Sequence, residues 1–270
     1  MPFHYCLNSS TIKPAPLLEK IRVAAAAGYE GLEIWHDDLE AFLAAGGTVR
    51  DVRHAVDDSG LQVPTTIYLK GWWDPALPEY AADMDVIKRR LENTAALGAP
   101  HVISGPPPQQ SVDYALLARE YRALLELGRE YGVRPAFEYL GFVDEVNSLA
   151  KSLRVLRGAD HPDATVVIDP FHDFRGGSNH EAIAQLQPRQ IAISHFNDSP
   201  PQPAAHLQGD ADRVMPGDGI VDLKRYVALL NQIGYDRFIS LELFREDLCQ
   251  RDPLEVARLG LEKMRAVCEA

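Results

Sequence analysis

Short unbroken apolar blocks alternate along the chain with longer stretches whose apolar residues recur at helical spacing. The blocks predict strands at residues 3–7, 31–35, 61–69, 101–104, 133–138, 165–169, 191–195 and 238–242. The longer stretches predict helices at 17–27, 39–59 (broken at Gly46-Gly47), 80–97, 112–131, 147–156, 180–186, 223–233 and 254–267. Gly28, Gly98 and Gly132 fall where three of those helices should stop. Val166, Val167 and Ile168 do not alternate with polar residues, so that strand should be covered on both faces, as in a parallel sheet. Strand and helix alternate eight times. The expected fold class is therefore α/β, a single (β/α)8 TIM barrel, with residues 1–270 as one domain, since no composition break or linker divides them. A doubly wound open sheet is the alternative. It usually carries a Gly-rich turn after its first strand, and Asn8-Ser9-Ser10 is not one.

Composition narrows the class without changing the fold. The chain has 270 residues, 46% apolar and 24% charged, the balance of a globular protein. A net charge of −12 argues against a nucleic-acid partner, which needs Lys/Arg clusters. No apolar run approaches the roughly 18 residues of a membrane span, so no membrane partner is expected. The first residues, MPFHYCLNSS, show neither a basic region nor an apolar signal core, and a cytoplasmic location is expected by default. Cys6, Cys249 and Cys268 are odd in number and far apart, so no disulfide framework is implied.

Chemistry is concentrated where strands end. Four consecutive predicted strands finish on a metal-binding side chain: Glu138, Asp169, His195 and Glu242. Taken alone, Asp169 before Pro170 reads as a turn aspartate capping the next helix. Taken as an ordered set in a closed barrel, the four would share one mouth. Three clustered carboxylates need a cation or must take up protons. One divalent ion satisfies them. The oxygen-rich set favours Mn²⁺, with Mg²⁺, Zn²⁺ and Co²⁺ left open.

The segments FEYLG (137–141), VVIDPFHDF (166–174), ISHFND (193–198), DRVMPGDG (212–219) and SLELF (240–244) resemble the xylose isomerase-like barrels, the sugar phosphate isomerase/epimerase group. The resemblance runs from the fifth strand to the C-terminus. It implies metal ligands at Glu138, Asp169, His195 and Glu242, and substrate contacts from His172 and Arg213. The implied activity is isomerisation or epimerisation of a sugar or cyclitol ketone. A metal-polarised carbonyl acidifies the neighbouring C–H, and Glu138 and Glu242 carry the proton through an enediolate. Arg213 would hold a hydroxyl or the developing oxyanion. A dehydratase on the same barrel and a metal-dependent sugar-binding module are the competing readings. The DNA-repair endonucleases of the group need extra histidines, and this chain has Val214, Tyr68 and Ser104 at those places.

Weaker features complete the set. Glu33 contacts substrate or is simply a paired strand-end glutamate. Trp72 and Trp73 are candidates to wall the pocket, and Trp35 either does the same or packs as core. His172 hydrogen-bonds a substrate hydroxyl or caps a helix. Asp198 and Asp218 read as turn residues. No basic cluster or Gly-rich helix start marks a phosphate site, which suits an unphosphorylated ketone. The sequence is compatible with a homo-oligomer and leaves the oligomeric state open.

Overall fold

The structure is a computed structural model that describes residues 3–270. Eight parallel strands close on themselves in chain order. They are β1 (His4–Asn8), β2 (Gly31–Trp35), β3 (Thr65–Leu69), β4 (His101–Ser104), β5 (Arg134–Glu138), β6 (Thr165–Ile168), β7 (Ile191–Phe196) and β8 (Phe238–Leu241). Closure is made by β1 on β8, with His4 opposite Phe238 and Leu7 opposite Leu241. The helices are α1 (Leu17–Ala27), α2 (His36–Ala44), α3 (Val49–Ser59), α4 (Tyr80–Ala96), α5 (Tyr114–Tyr131), α6 (Leu149–Ala159), α7 (Pro170–Arg175), α8 (Leu223–Gln232) and α9 (Pro253–Cys268).

Two apolar layers hold this together. Ile67, Ile103, Ala136, Val167 and Ile193 point inward and fill the barrel. Their strand neighbours, such as Val102, Phe137, Val166 and Ile168, face the helices. Both strand faces are thus buried, which is why these segments read as continuous apolar runs. The titratable residues that end β5 to β8 collect at one end of the barrel.

Two elements differ from expectation. The third strand begins at Thr65 rather than at 61, and before it only Gln62 pairs, as an isolated bridge to Gly31. Pro64 has no N–H to give to a ladder. The predicted helix at 180–186 is instead a 3₁₀ turn, His180–Gln185, preceded by the six-residue α7. Gly176-Gly177 ends α7, and Pro188 follows closely, so no full helix fits between them. Asp169 is the N-cap of α7, accepting from Phe171 N, and Pro170 is its first residue.

Candidate metal centre and substrate pocket

Glu138 ends β5, Asp169 follows β6, His195 lies on β7 and Glu242 follows β8. One ligand atom from each lies within 4.8 Å of the other three, and all four residues are buried. His195 Nδ1 is 3.0 Å from Glu138 Oε1, 3.1 Å from Glu242 Oε2 and 3.7 Å from Asp169 Oδ2. Yet His195 Nδ1 and Glu138 Oε1 are buried with no hydrogen-bond partner. The two atoms are close without the direction that sharing a proton requires, as expected of atoms aimed at a common third centre. Three carboxylate oxygens and one imidazole nitrogen around one point fit a divalent cation.

The electrostatics agree. Burial pushes the Glu138 carboxyl up to about 7, against the pull of His195 and with repulsion from Glu242 and Asp169. Burial would also raise Asp169, but Arg213, His172 and His195 outweigh it and hold that carboxyl well below its ordinary value. Burial alone would lower His195. The surrounding Glu242, Glu33 and Glu138 instead raise it well above the ordinary range, so positive charge is strongly favoured at this nitrogen. A divalent ion meets the same demand by displacing the proton.

Arg213 supplies the second positive centre. Its side chain is 1% exposed, and Nη1 donates to Asp169 Oδ2 (2.6 Å) and Glu242 Oε2 (2.8 Å). Nη2 donates to Asp210 Oδ1 (2.8 Å), and the guanidinium lies 4.6 Å over the Phe171 ring. The loop that carries Arg213 is tied down by Asp198, whose carboxylate accepts from the backbone N–H of Ser199, Gly217, Gly219 and Val221. The turn role expected of Asp198 is thus what the structure displays. Asp218 closes a turn, its N–H donating to Met215 O (3.0 Å), and its carboxylate pairs with Lys263 at the surface.

His172 is on α7 and points to the same place. Its Nδ1 accepts from Gly141 N (3.1 Å), which leaves the proton of the neutral ring on Nε2. Nε2 lies 3.2 Å from Arg213 Nη2 and 3.9 Å from Asp169 Oδ2, facing the same pocket. Burial, helped by the Arg213 charge and opposed by Asp169, lowers this imidazole to about 4 and keeps it neutral.

These groups border a pocket of about 230 Å³ whose lining includes Glu138, Glu242, His172 and Arg213. Its aromatic walls are Trp35, Tyr68, Phe142 and Phe244. Larger cavities of about 400 and 580 Å³ lie away from these strand ends and contain no member of the four-residue cluster.

Two predicted substrate contacts are placed elsewhere. Trp72 is buried among Trp73, Tyr121 and Phe137, and its Nε1 donates to Gly105 O (3.1 Å). It is core, because the chain after β3 folds back over the barrel side. Glu33 is 0% exposed and lies behind His195, with Oε2 3.3 Å from Nε2. It is held there by Asn8 and Thr65. Of the two readings of Glu33, the paired one is what the structure displays. Trp35, weighed as wall or core, is a wall.

Tyr68, Asp210, Phe142 and Phe244 line the pocket and Asn8 stands behind Glu242, and none of these is among the site residues expected from the sequence. Tyr68 had a signal, an aromatic residue at a strand end followed later by Gly105. A Cβ at Gly105 would lie 1.4 Å from the Tyr68 hydroxyl, so glycine there is what admits the ring.

Residues 21–267 match the Xylose isomerase-like TIM barrel family, and the chain belongs to it. Within that family, it is 31% identical to inosose isomerase of Bacillus subtilis over 166 residues, 59% of each chain. It is 28% identical to 3-dehydroshikimate dehydratase of Pseudomonas putida over 251 residues, which are 92% of this chain and 39% of that enzyme. The chain therefore spans less than two thirds of both relatives. A crystal structure of IOLI protein with a binding zinc atom shares the fold, with a TM-score of 0.91 at 23% identity and 98% of each chain covered. No helix among the described residues is long and apolar enough to cross a membrane.

Proposed function

We propose that this chain, acting as one barrel domain, is a divalent-metal-dependent isomerase or epimerase of a sugar or cyclitol ketone, with an inosose as the leading substrate. The observation that carries the reading is the placement of two buried glutamates, Glu138 and Glu242, on the wall of one pocket beside Arg213 and His172. The similarity to inosose isomerase supports the substrate class.

Glu138, Asp169, His195 and Glu242 would hold the ion. When bound, the ion supplies a Lewis acid that polarises a substrate carbonyl. The chain's own residues then do the rest. Glu138, on the pocket wall beside the ion, can take or give a proton. Glu242 reaches the pocket from β8, separated from β5 by β6 and β7, so proton removal and return can use two directions. The Arg213 guanidinium, fixed by three carboxylates, is a pre-set partner for negative charge on a substrate oxygen. His172 Nε2 donates to a substrate hydroxyl. The aromatic walls exclude water and accept the C–H face of a ring. Mn²⁺ remains the favoured ion on donor chemistry, and three unpaired cysteines suit a cytoplasmic site of action.

The test is to incubate the Mn²⁺-loaded protein with inososes, ketohexoses, hydroxypyruvate and 3-dehydroshikimate in D₂O and follow each by NMR. Deuterium wash-in next to the carbonyl, with an isomeric product, is expected for a cyclitol or sugar ketone. Loss of water with new ultraviolet absorbance would instead establish the dehydratase reading, which the match across 92% of this chain favours as the second choice. Binding of a ketone with neither exchange nor conversion would leave only the sugar-binding module.

A further inference from the structure

Asn8 ends β1 and is 0% exposed. Every hydrogen-bonding position on its carboxamide is used. Nδ2 donates to Glu242 Oε1 (2.9 Å) and to Glu33 Oε2 (3.1 Å). Oδ1 accepts from Trp35 Nε1 (2.8 Å) and Ser10 N (3.0 Å). The partners leave no freedom in the assignment: two carboxylates can only accept, and an indole and a backbone amide can only donate. The amide plane is therefore locked from both sides.

Three of its four partners belong to different parts of the site. Glu242 is one of the two glutamates on the pocket wall, and Asn8 occupies the oxygen that does not face Arg213. Glu33 is the carboxylate that faces the back of His195. Trp35 is a pocket wall whose ring meets Phe244 edge-on at 5.8 Å. Asn8 itself does not line the pocket. A neutral residue thus stands between two buried carboxylates and separates them with its two N–H groups, where direct contact would be repulsive.

We propose that Asn8 is a positioning residue for the metal centre. It sets the orientation of Glu242 directly and of His195 through Glu33, and the Trp35 N–H acts on the centre only by holding the Asn8 carboxamide. The proposal rests on the metal-centre reading given above. Asn8 differs from a generic buried asparagine because one of its N–H bonds ends on a cluster residue, Glu242, and the other on Glu33, which faces His195. The linkage runs from the aromatic wall of the pocket to two of the four cluster residues.

The experiment is a double-mutant cycle between Asn8→Ala and Trp35→Phe, read as Mn²⁺ affinity by competition with a chelator in the absence of substrate. Asn8→Ala is expected to weaken Mn²⁺ by about 10–100-fold, the usual effect of removing groups that orient ligands. Trp35→Phe keeps an aromatic ring at the wall, smaller than the indole, and removes the N–H that bonds Asn8. It should weaken Mn²⁺ by about 2–10-fold, the worth of one neutral hydrogen bond. The double variant should be no worse than Asn8→Ala alone, because the indole has no other route to the centre. Circular dichroism and thermal melting of the metal-free proteins report whether each variant is folded. If Asn8→Ala does not fold, the Trp35→Phe loss of Mn²⁺ affinity is the deciding number. Wild-type affinity in Asn8→Ala, wild-type affinity in Trp35→Phe, or losses that simply multiply in the double variant would each overturn the proposal. Where a ketone is turned over, Asn8→Ala should lower kcat and leave KM nearly unchanged. Because Mn²⁺ affinity is read without substrate, a chain that binds Mn²⁺ but converts no ketone sinks the isomerase reading alone.

Discussion

Glu33 Oε2 lies 3.3 Å from His195 Nε2, on the side of the imidazole opposite the three other carboxylates, which face Nδ1. The ring is therefore held at both nitrogens. A carboxylate behind a ligating imidazole fixes its tautomer and raises its basicity. Glu33→Gln keeps the shape and removes the charge. It is expected to weaken divalent-metal affinity by about 10–100-fold. KM for the ketone should not change, because Glu33 is not on the pocket wall. A changed KM with intact metal affinity would restore the substrate-contact role that the structure does not display.

Glu138→Gln and Glu242→Gln each retain an oxygen ligand and lose the base. Turnover is expected to fall by about 10²–10⁴, with substrate binding less affected. Arg213→Ala should depress kcat and raise KM together, since on the proposed mechanism its guanidinium would contact both substrate and enediolate. Steady-state kinetics with deuterium exchange at the carbon next to the carbonyl separates these patterns. Exchange and conversion at wild-type rates in both glutamine variants would remove the two residues as proton carriers.

Trp72→Phe tests the corrected role of that residue. It leaves the Gly105 carbonyl without its indole donor in a buried place. A stability loss of about 1–3 kcal/mol is expected from urea unfolding. kcat and KM should stay at wild-type values. Altered substrate binding with unchanged stability is the contrary result.

Acid should destabilise the fold through two buried histidines that are not members of the cluster. Burial, with the Arg90 charge, lowers His36 from 6.5 to about 3. Burial, with Arg134 and Arg237, lowers His101 from 6.5 to about 3. Between these values the unfolded chain binds the protons and the folded chain does not, so stability falls as pH drops from 6.5 toward 3. Across that window each histidine costs at most about 1.4 kcal/mol for every tenfold rise in proton concentration. Urea unfolding compared at neutral and at mildly acidic pH should show a smaller acid loss in His101→Gln than in the wild type. Parallel losses in the two proteins would exclude His101 as a contributor.

Asp198→Ala removes the acceptor of four backbone N–H groups under the Arg213 loop. Hydrogen exchange at Gly217, Gly219 and Val221 is expected to accelerate. Turnover should fall in the pattern of Arg213→Ala, although Asp198 is not on the pocket wall. Unchanged exchange at those amides would show that the loop is held by other contacts.

Most of the barrel is legible in the sequence because burial on both strand faces forces continuous apolar runs, and each run ends where polarity returns. The four cluster residues are legible for the same reason: each is the first titratable side chain after such a run. Depth is not legible. Glu33 sits one layer below the mouth, and alternation along β2 says that it points inward but not how far from the pocket it lies. Trp72 follows a strand end as a wall residue would, and only the path of the chain after Leu69 sends it into the core. The helix after β6 starts earlier than its apolar periodicity suggests. Asp169-Pro170 carries a cap and a first-turn proline, but the next helical spacing of apolar residues lies further along the chain. Asn8 gives no signal of its own. Its partners come from β2, β8 and the turn after β1, and no local pattern joins them.

Asp169 divides its two oxygens between two tasks. Oδ1 accepts from Phe171 N and Asn197 Nδ2, while Oδ2 faces Arg213 and the imidazole. The backbone of α7 and the chemistry of the mouth thus share one side chain but not one atom. Asparagine can keep the first task and give up the charge of the second, whereas glutamate or alanine forfeits the geometry of the cap. In its place an amide N–H would face the Arg213 Nη1 donor, which now lies 2.6 Å from Oδ2. A single exchange at position 169 therefore disturbs the mouth even where it spares the start of α7.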